Sequence, residues 1–198
     1  MKKIFALLLA LVTAAHADAG VGSPAPAFTL KNCAGGETSL SDYKGKTVVL
    51  EWTTPSCPFV AKHYSSGNMQ KLQKEALDKG VVWLTICSSA PGKPGYQTPA
   101  EAAAACTKNG SAATAYLIDD TGSTGRLYGA KRTPEMFVID PKGLLVYHGA
   151  IDDKRSTNPA DIAGAKNFVS AAMDETLAGK PVTVPKTEAY GCGIKYAE

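Results

Sequence analysis

The chain has 198 residues, of which 44% are hydrophobic, and a formal net charge of +3. That apolar content excludes an intrinsically disordered chain, and the near-neutral balance provides neither the basic field that nucleic acid requires nor an acidic tail. The length suits one domain with a sizeable core, and no internal repeat or low-complexity tract interrupts it.

The first residues read as an export signal. Lys2 and Lys3 precede the apolar run "IFALLLALV", which is too short to span a bilayer, and "AHA" (residues 15–17) offers a small-x-small cleavage site. Residues 1–17 are therefore expected to be a secretory signal peptide. Cys33 lies too far downstream to be a lipid-attached cysteine at the cut. The expectation is a periplasmic or secreted chain with no membrane span once the signal is removed. Residues 18–182 are expected to form the folded domain, and 183–198 an irregular tail bearing Cys192.

After a Pro/Gly/Ser-rich arm with a hairpin-like element, "TVVLEWTT" (47–54) reads as a strand covered on both faces. Pro58 suits the first helical position, and the helix should run from about Pro58 to Lys79, irregular near Gly67. "VVWLTICS" is a second buried strand. In "TPAEAAAAC", Thr98, Pro99 and Glu101 form a capping box with proline at N1, opening a helix that ends near Asn109 and Gly110. "TAYLID" is a third strand, and "DTGSTGRLYGA" a loop with one short helical turn. "EMFVID" and "LLVYHGA", joined by "PKG", predict a β-hairpin. A last helix is expected from Asn158 and Pro159 to Gly179. Strands alternating with helices imply an α/β fold: a central mixed sheet with a C-terminal hairpin at its edge and helices on both faces.

Cys57 falls at a strand-to-helix junction, where it would be the N-cap before Pro58. Free N–H groups and the positive end of the helix dipole favour a thiolate there, and a thiolate is the nucleophile in disulfide exchange and peroxide attack. A small buried core cysteine is the plainer alternative.

The blocks "WTTPSCPFVAKHY", "GAKRTPEMFVIDPKGLLVYHGAIDD" and "YGCGIKY" resemble the thioredoxin superfamily, and within it the peroxiredoxin-like branch of alkyl-hydroperoxide-reductase and thiol-specific-antioxidant proteins. The resemblance covers residues from about Gly22 to Tyr196. It implies a thioredoxin-like fold and a thiol oxidoreductase or antioxidant activity in which Cys57 attacks. It also implies that Thr133-Pro134 is a cis-proline loop beside that cysteine, whose backbone pairs with an extended peptide substrate. The implied reactants are a protein disulfide or a peroxide with an external thiol reductant; no cofactor and no metal are implied.

Several positions depart from the family pattern. Val60 stands where a thioredoxin has its second cysteine. Thr54 matches the peroxiredoxin threonine, whose hydroxyl would bond the thiolate or a peroxide oxygen. Leu50 stands where a peroxiredoxin has proline, and Pro134 where it has arginine, with Arg126 and Arg132 nearby as substitutes.

Five cysteines leave one unpaired, and their number alone selects no arrangement. Glycine-flanked Cys192 is the first choice of partner for Cys57. Cys87 and Cys106 are the candidates for a separate bridge, which leaves Cys33 over. Lys62 reads as a solvated lysine able to assist a thiolate, His63 as a polar or capping histidine, and Asp119-Asp120 and Asp152-Asp153 as solvated loop pairs. Two rival functions remain open: a non-catalytic thioredoxin-fold binding or structural protein with permanent disulfides, and a copper-binding chaperone.

Overall fold

Three apolar runs build the centre of the molecule: β3 (Val48–Trp52), β4 (Val82–Cys87) and β5 (Ala115–Ile118), every residue of which is buried. They pair in parallel, β3 with β4 and β4 with β5. The computed structural model describes residues 19–198, so the leader expected over residues 1–17 lies outside the described residues.

The flanking strands run antiparallel. The hairpin β1 (Thr29–Asn32) and β2 (Glu37–Ser39) joins the edge beside β5. A two-residue strand, β6 (Arg132–Thr133), precedes β7 (Glu135–Ile139), which pairs with β3; β8 (Leu145–Gly149) closes the other edge. The order across the seven strands is β2-β1-β5-β4-β3-β7-β8. The expected hairpin edge is present, and β8 alternates buried with half-buried residues, as one covered face requires.

Helices cover both faces. Met69, Leu72 and Ala76 of α2 (Asn68–Asp78) and Val169, Ala172 and Met173 of α5 (Phe168–Leu177) pack with Val49, Trp83, Met136 and Val138. The opposite face carries Leu50, Trp52, Leu84, Ile86 and Phe137. It is closed by a 3-10 turn at Leu40–Tyr43 and by Leu127 and Tyr128 at the end of a short helix, α4 (Ser123–Leu127). Burying each such aromatic or aliphatic side chain contributes roughly 1.5–3 kcal/mol.

Two helices differ from expectation. The segment after Cys57 is two helices, α1 (Pro58–Ser65) and α2, because Gly67 takes φ +78° between them. The last helix is also divided. A 3-10 turn (Pro159–Gly164) follows Asn158, and α5 starts afresh with the Asn167 side chain accepting from Ser170 N–H at 2.8 Å. By contrast, α3 (Pro99–Asn109) starts with the expected box. The Thr98 hydroxyl accepts from Glu101 N–H, and the Glu101 carboxylate accepts from Thr98 N–H at 2.8 Å. The tail is mostly irregular but contains one further strand, β9 (Cys192–Gly193).

Candidate functional site

Cys57 is the N-cap of α1, in extended backbone conformation (φ −87°, ψ 120°) with Pro58 at N1. Its N–H donates to Thr54 O at 3.2 Å, and its carbonyl accepts from Ala61 N–H at 2.9 Å. The side chain is 1% exposed, and Sγ donates to Thr133 O at 3.0 Å. The Thr133-Pro134 bond is cis.

β6 also receives the tail. It pairs antiparallel with β9, Thr133 opposite Cys192 and Arg132 opposite Gly193. The Thr133 hydroxyl donates to Cys192 O at 3.4 Å, and Ile194 N–H to Lys131 O at 3.2 Å. Gly191 has φ +121°, and a Cβ there would lie 2.0 Å from Thr133 O, so only glycine lets the tail cross this closely. Farther along, Ala90 N–H donates to Lys195 O at 2.8 Å and Tyr196 OH to Ala130 O at 2.7 Å. The strand that flanks Cys57 is thus occupied by the chain's own C-terminal segment, with Cys192 seated beside Cys57.

The two thiols are tuned apart. Burial alone would push the Cys57 thiol up. Hydrogen bonds from the Thr133 and Cys192 side chains and from the Val60 and Cys192 backbones outweigh it, holding Cys57 below its ordinary value. Cys192 is pushed up to about 11 by burial and then by its neighbour Cys57. The pair therefore sets a sulfur whose ionisation is eased next to one whose ionisation is opposed.

The model of the AhpC/TSA family matches residues 21–148. The chain belongs to the AhpC/TSA family. It is 28% identical over 144 residues to the thioredoxin-like protein YneN of Bacillus subtilis, covering 71% of this chain and 79% of that one. A solved protein of Geobacillus kaustophilus superposes with a TM-score of 0.78 at 27% identity, covering 90% of this chain and 93% of that one. One of Sinorhizobium meliloti superposes with a TM-score of 0.75 at 26% identity, covering 90% and 95%. The thioredoxin-like redoxin fold is thereby established, and with it a thiol redox character.

This AhpC/TSA chain places other expected residues differently. The Thr54 hydroxyl is not on the Cys57 sulfur. It pairs with the Ser56 hydroxyl at 3.4 Å and lies against Gly95, where a Cβ would come within 1.9 Å of it. Thr133 makes the contact expected of Thr54. Arg126 is held by the tail, its guanidinium 4.7 Å from the Tyr196 ring and donating to Thr121 O at 2.9 Å and Ala197 O. Arg132 lies nearer Cys192, whose thiol its charge draws down. Cys106 does not have Cys87 as its thiol neighbour: Cys33 is the sulfur beside it, and Cys87 instead donates to Gly95 O at 3.5 Å.

Buried polar groups behind the site escaped the sequence reading. Lys62 is 2% exposed rather than solvated. It donates to Lys154 O at 3.0 Å and lies 3.9 Å from Asp152, which is equally buried rather than in a wet loop. Tyr190 OH donates to Asp152, and the Tyr190 ring packs edge-on against Phe59, centroids 5.8 Å apart. His63 Nδ1 pairs with Asn68 at 2.9 Å, while its Nε2 is 3.9 Å from Asp152 with no hydrogen-bond partner. Burial holds His63 down to about 4, against the Asp152 charge and with that of Lys62. Asp119 is also buried, accepting from the Ser88 hydroxyl at 2.6 Å and Gly125 N–H at 2.9 Å.

Beneath Cys57, the Glu51 carboxylate on β3 accepts from Tyr64 OH, Gln73, the Trp83 indole and the Thr85 hydroxyl at 2.9–3.3 Å. Burial raises its pKa, and these donors oppose the rise. The place of Glu51 inside a run covered on both faces could have pointed to its burial; nothing local announces its four donors. Among the described residues no three metal-ligating side chains cluster, and no helix is long and apolar enough to cross a membrane.

Proposed function

We propose that the protein is an exported thiol–disulfide oxidoreductase in which Cys57 attacks and Cys192 resolves. The observation that carries this reading is the lowered Cys57 thiol beside the raised Cys192 thiol on the β6–β9 ladder. In the reaction, the Cys57 thiolate attacks a substrate disulfide R–S–S–R′, forming Cys57–S–S–R and releasing R′S⁻. Cys192, deprotonated as it reacts, then attacks the Cys57 sulfur and releases RS⁻, leaving Cys57–S–S–Cys192. An external dithiol returns both to thiols and becomes a disulfide itself. Thr133 steadies the attacking sulfur, and the Thr133-Pro134 loop and Thr54 line the approach.

Disulfide exchange is favoured over peroxide reduction. Leu50 and Pro134 replace the peroxidase proline and arginine, the Thr54 hydroxyl is turned to Ser56, and Arg126 is engaged by the tail. AhpC/TSA membership is the observation that favours peroxide as the alternative oxidant. The leader expected over residues 1–17 is what supports export to the periplasm or outside the cell.

The test is to react the purified Cys192→Ser variant with a disulfide-bonded model peptide. A mixed disulfide trapped at Cys57 supports the reading. A Cys57→Ser variant that keeps full disulfide-reductase turnover would sink it. Peroxide consumption by the wild type, with no trapped peptide, would replace it by the antioxidant reading.

A further inference from the structure

We infer that Cys33 and Cys106 form a second, structural disulfide that ties the β1–β2 hairpin to α3 and leaves Cys87 as the single unpaired thiol.

The register places them together. Asn32 is opposite Leu117 in the β1–β5 ladder, and Cys33 N–H continues it by donating to Tyr116 O at 3.0 Å. Residues opposite each other in an antiparallel pair project to the same face, so Cys33 shares the face of Tyr116. Tyr116 and Ile118 turn to the α3 side, whereas Ala115 and Leu117 turn away. On α3, Ala102 and Cys106 are four residues apart and therefore on one helix face, with Ala102 fully buried against this sheet.

Level decides between the two possible partners. α3 enters after the C-terminal end of β4 and leaves before the start of β5, so it runs antiparallel to both strands. Cys87 pairs with Ile118 at the C-terminal end. From Ala102 to Cys106 the helix descends about 6 Å, and from Ile118 to Tyr116 the strand descends about 6.6 Å. With Ala102 packed in one cluster with Cys87 and Ile118, this step carries Cys106 toward Tyr116 and Cys33, and Cys106 and Tyr116 line a common cavity. Cys33 and Cys87 are also held apart by the whole width of β5, which lies between their strands. Cys87 Sγ is instead engaged with Gly95 O, to which it donates at 3.5 Å.

The oxidation consumes one external disulfide. Two protein thiols lose two hydrogens to form the S–S bond, and the disulfide donor is reduced to two thiols. The Cys57 sulfur has Thr133 and Cys192 as its partners, not Cys33 or Cys106, so this bridge takes no part in the proposed turnover.

To test it, equilibrate the wild type with oxidised glutathione, block free thiols with an alkylating agent and map the unreduced peptides by mass spectrometry. A linked Cys33–Cys106 peptide with alkylated Cys87 is expected, and Cys87→Ser should keep that link. In the Cys57→Ser/Cys192→Ser background, the oxidised form should melt above the reduced form. Adding Cys33→Ala should abolish the difference. A Cys87–Cys106 link, or Cys33 and Cys106 both alkylated after equilibration, overturns the inference.

Discussion

Two corners of this molecule each bring two cysteines together, and the helix-borne thiol of each is shifted in the opposite direction. At the first corner Cys57 sits at the start of α1, where Val60 N–H and the Thr133 and Cys192 side chains outweigh burial and lower its thiol. At the second, Cys106 sits in the last turn of α3, and burial and then Cys33 push it up to about 12. Cys57 is fully buried and Cys106 partly so; what differs is the set of donors and charges each sulfur meets. Donors at the N-terminal end of α1, the Val60 N–H among them, act on Cys57, while burial, the Cys33 thiol and the Glu51 charge all act on Cys106 in the raising direction. Burial of a thiol therefore says little about reactivity until its donors are counted. The first corner has the lowered thiol that exchange requires, and the second lacks it.

The sharpest way to break that contrast is to remove one sulfur from each corner. Cys57→Ser should lower disulfide-reductase turnover by about 10³-fold or more, equivalent to ~4 kcal/mol. Cys33→Ser should leave turnover within about twofold. Steady-state reduction of a disulfide peptide, driven by an external dithiol, measures both. Equal losses from the two variants would show that the corners are not chemically distinct.

Acid should separate them next. The Cys57 corner rests on polar groups under α1, whereas the Cys106 corner rests on Ala102, Tyr116 and Ile118. His63 is buried neutral and held down to about 4 from 6.5. Between those pH values the unfolded chain binds the proton that the native one refuses, so stability falls as pH drops, by about 3 kcal/mol once pH is below 4. Denaturant titrations from pH 7 to 4 should record this slope, and His63→Gln should flatten it. An unchanged slope in that variant would remove His63 as its cause.

Backbone geometry offers a third separation. Gly191→Ala forces a Cβ against Thr133 O at a φ of +121°. A loss of about 2–3 kcal/mol is expected. As the tail lifts, alkylation of Cys192 should accelerate severalfold, while that of Cys106 should not change. Thiol-labelling rates followed by mass spectrometry read both cysteines in one sample.

The legibility of these features in the sequence follows the range of the interactions behind them. Strand runs, the Thr98 capping box and Cys57 at its helix start are written in neighbouring residues, and each is found where the local pattern sets it. The glycines around Cys192 signal a close crossing, but that it lands on Thr133 depends on a ladder between residues about sixty positions apart. Lys62, Asp119 and Asp152 look like solvent-facing charges because solvation is the usual fate of such side chains. Their burial is made possible by partners from distant segments: Lys154 for Lys62, Tyr190 for Asp152, Ser88 for Asp119. The thiol beside Cys106 was unreadable for the same reason. It depends on the level at which α3 crosses β5, which no residue near Cys106 encodes. Thr54 shows the reverse error: the family pattern supplies a role, yet a packing contact from Gly95 and the neighbouring Ser56 turn its hydroxyl elsewhere.

The smallest expected effect probes how the tail is held at the first corner. Tyr190→Phe keeps the ring, and with it the edge-on contact to Phe59 and the Lys62 ammonium 5.9 Å from the ring centre. Only the hydroxyl that donates to Asp152 is lost. Asp152 retains Lys154 N–H at 2.9 Å and the Lys62 ammonium at 3.9 Å, so its charge is not left without partners. A destabilisation of about 1.5 kcal/mol should result, the value of one hydrogen bond to a charged acceptor. Because Tyr190 is two residues from Cys192, the same variant should slow closure of the Cys57–Cys192 bridge after oxidation, with no change at Cys33–Cys106. Stopped-flow alkylation after a pulse of oxidised glutathione would measure that rate. If closure is as fast as in the wild type, the Lys62–Asp152–Tyr190 cluster only stabilises the fold, and the β6–β9 ladder alone positions Cys192.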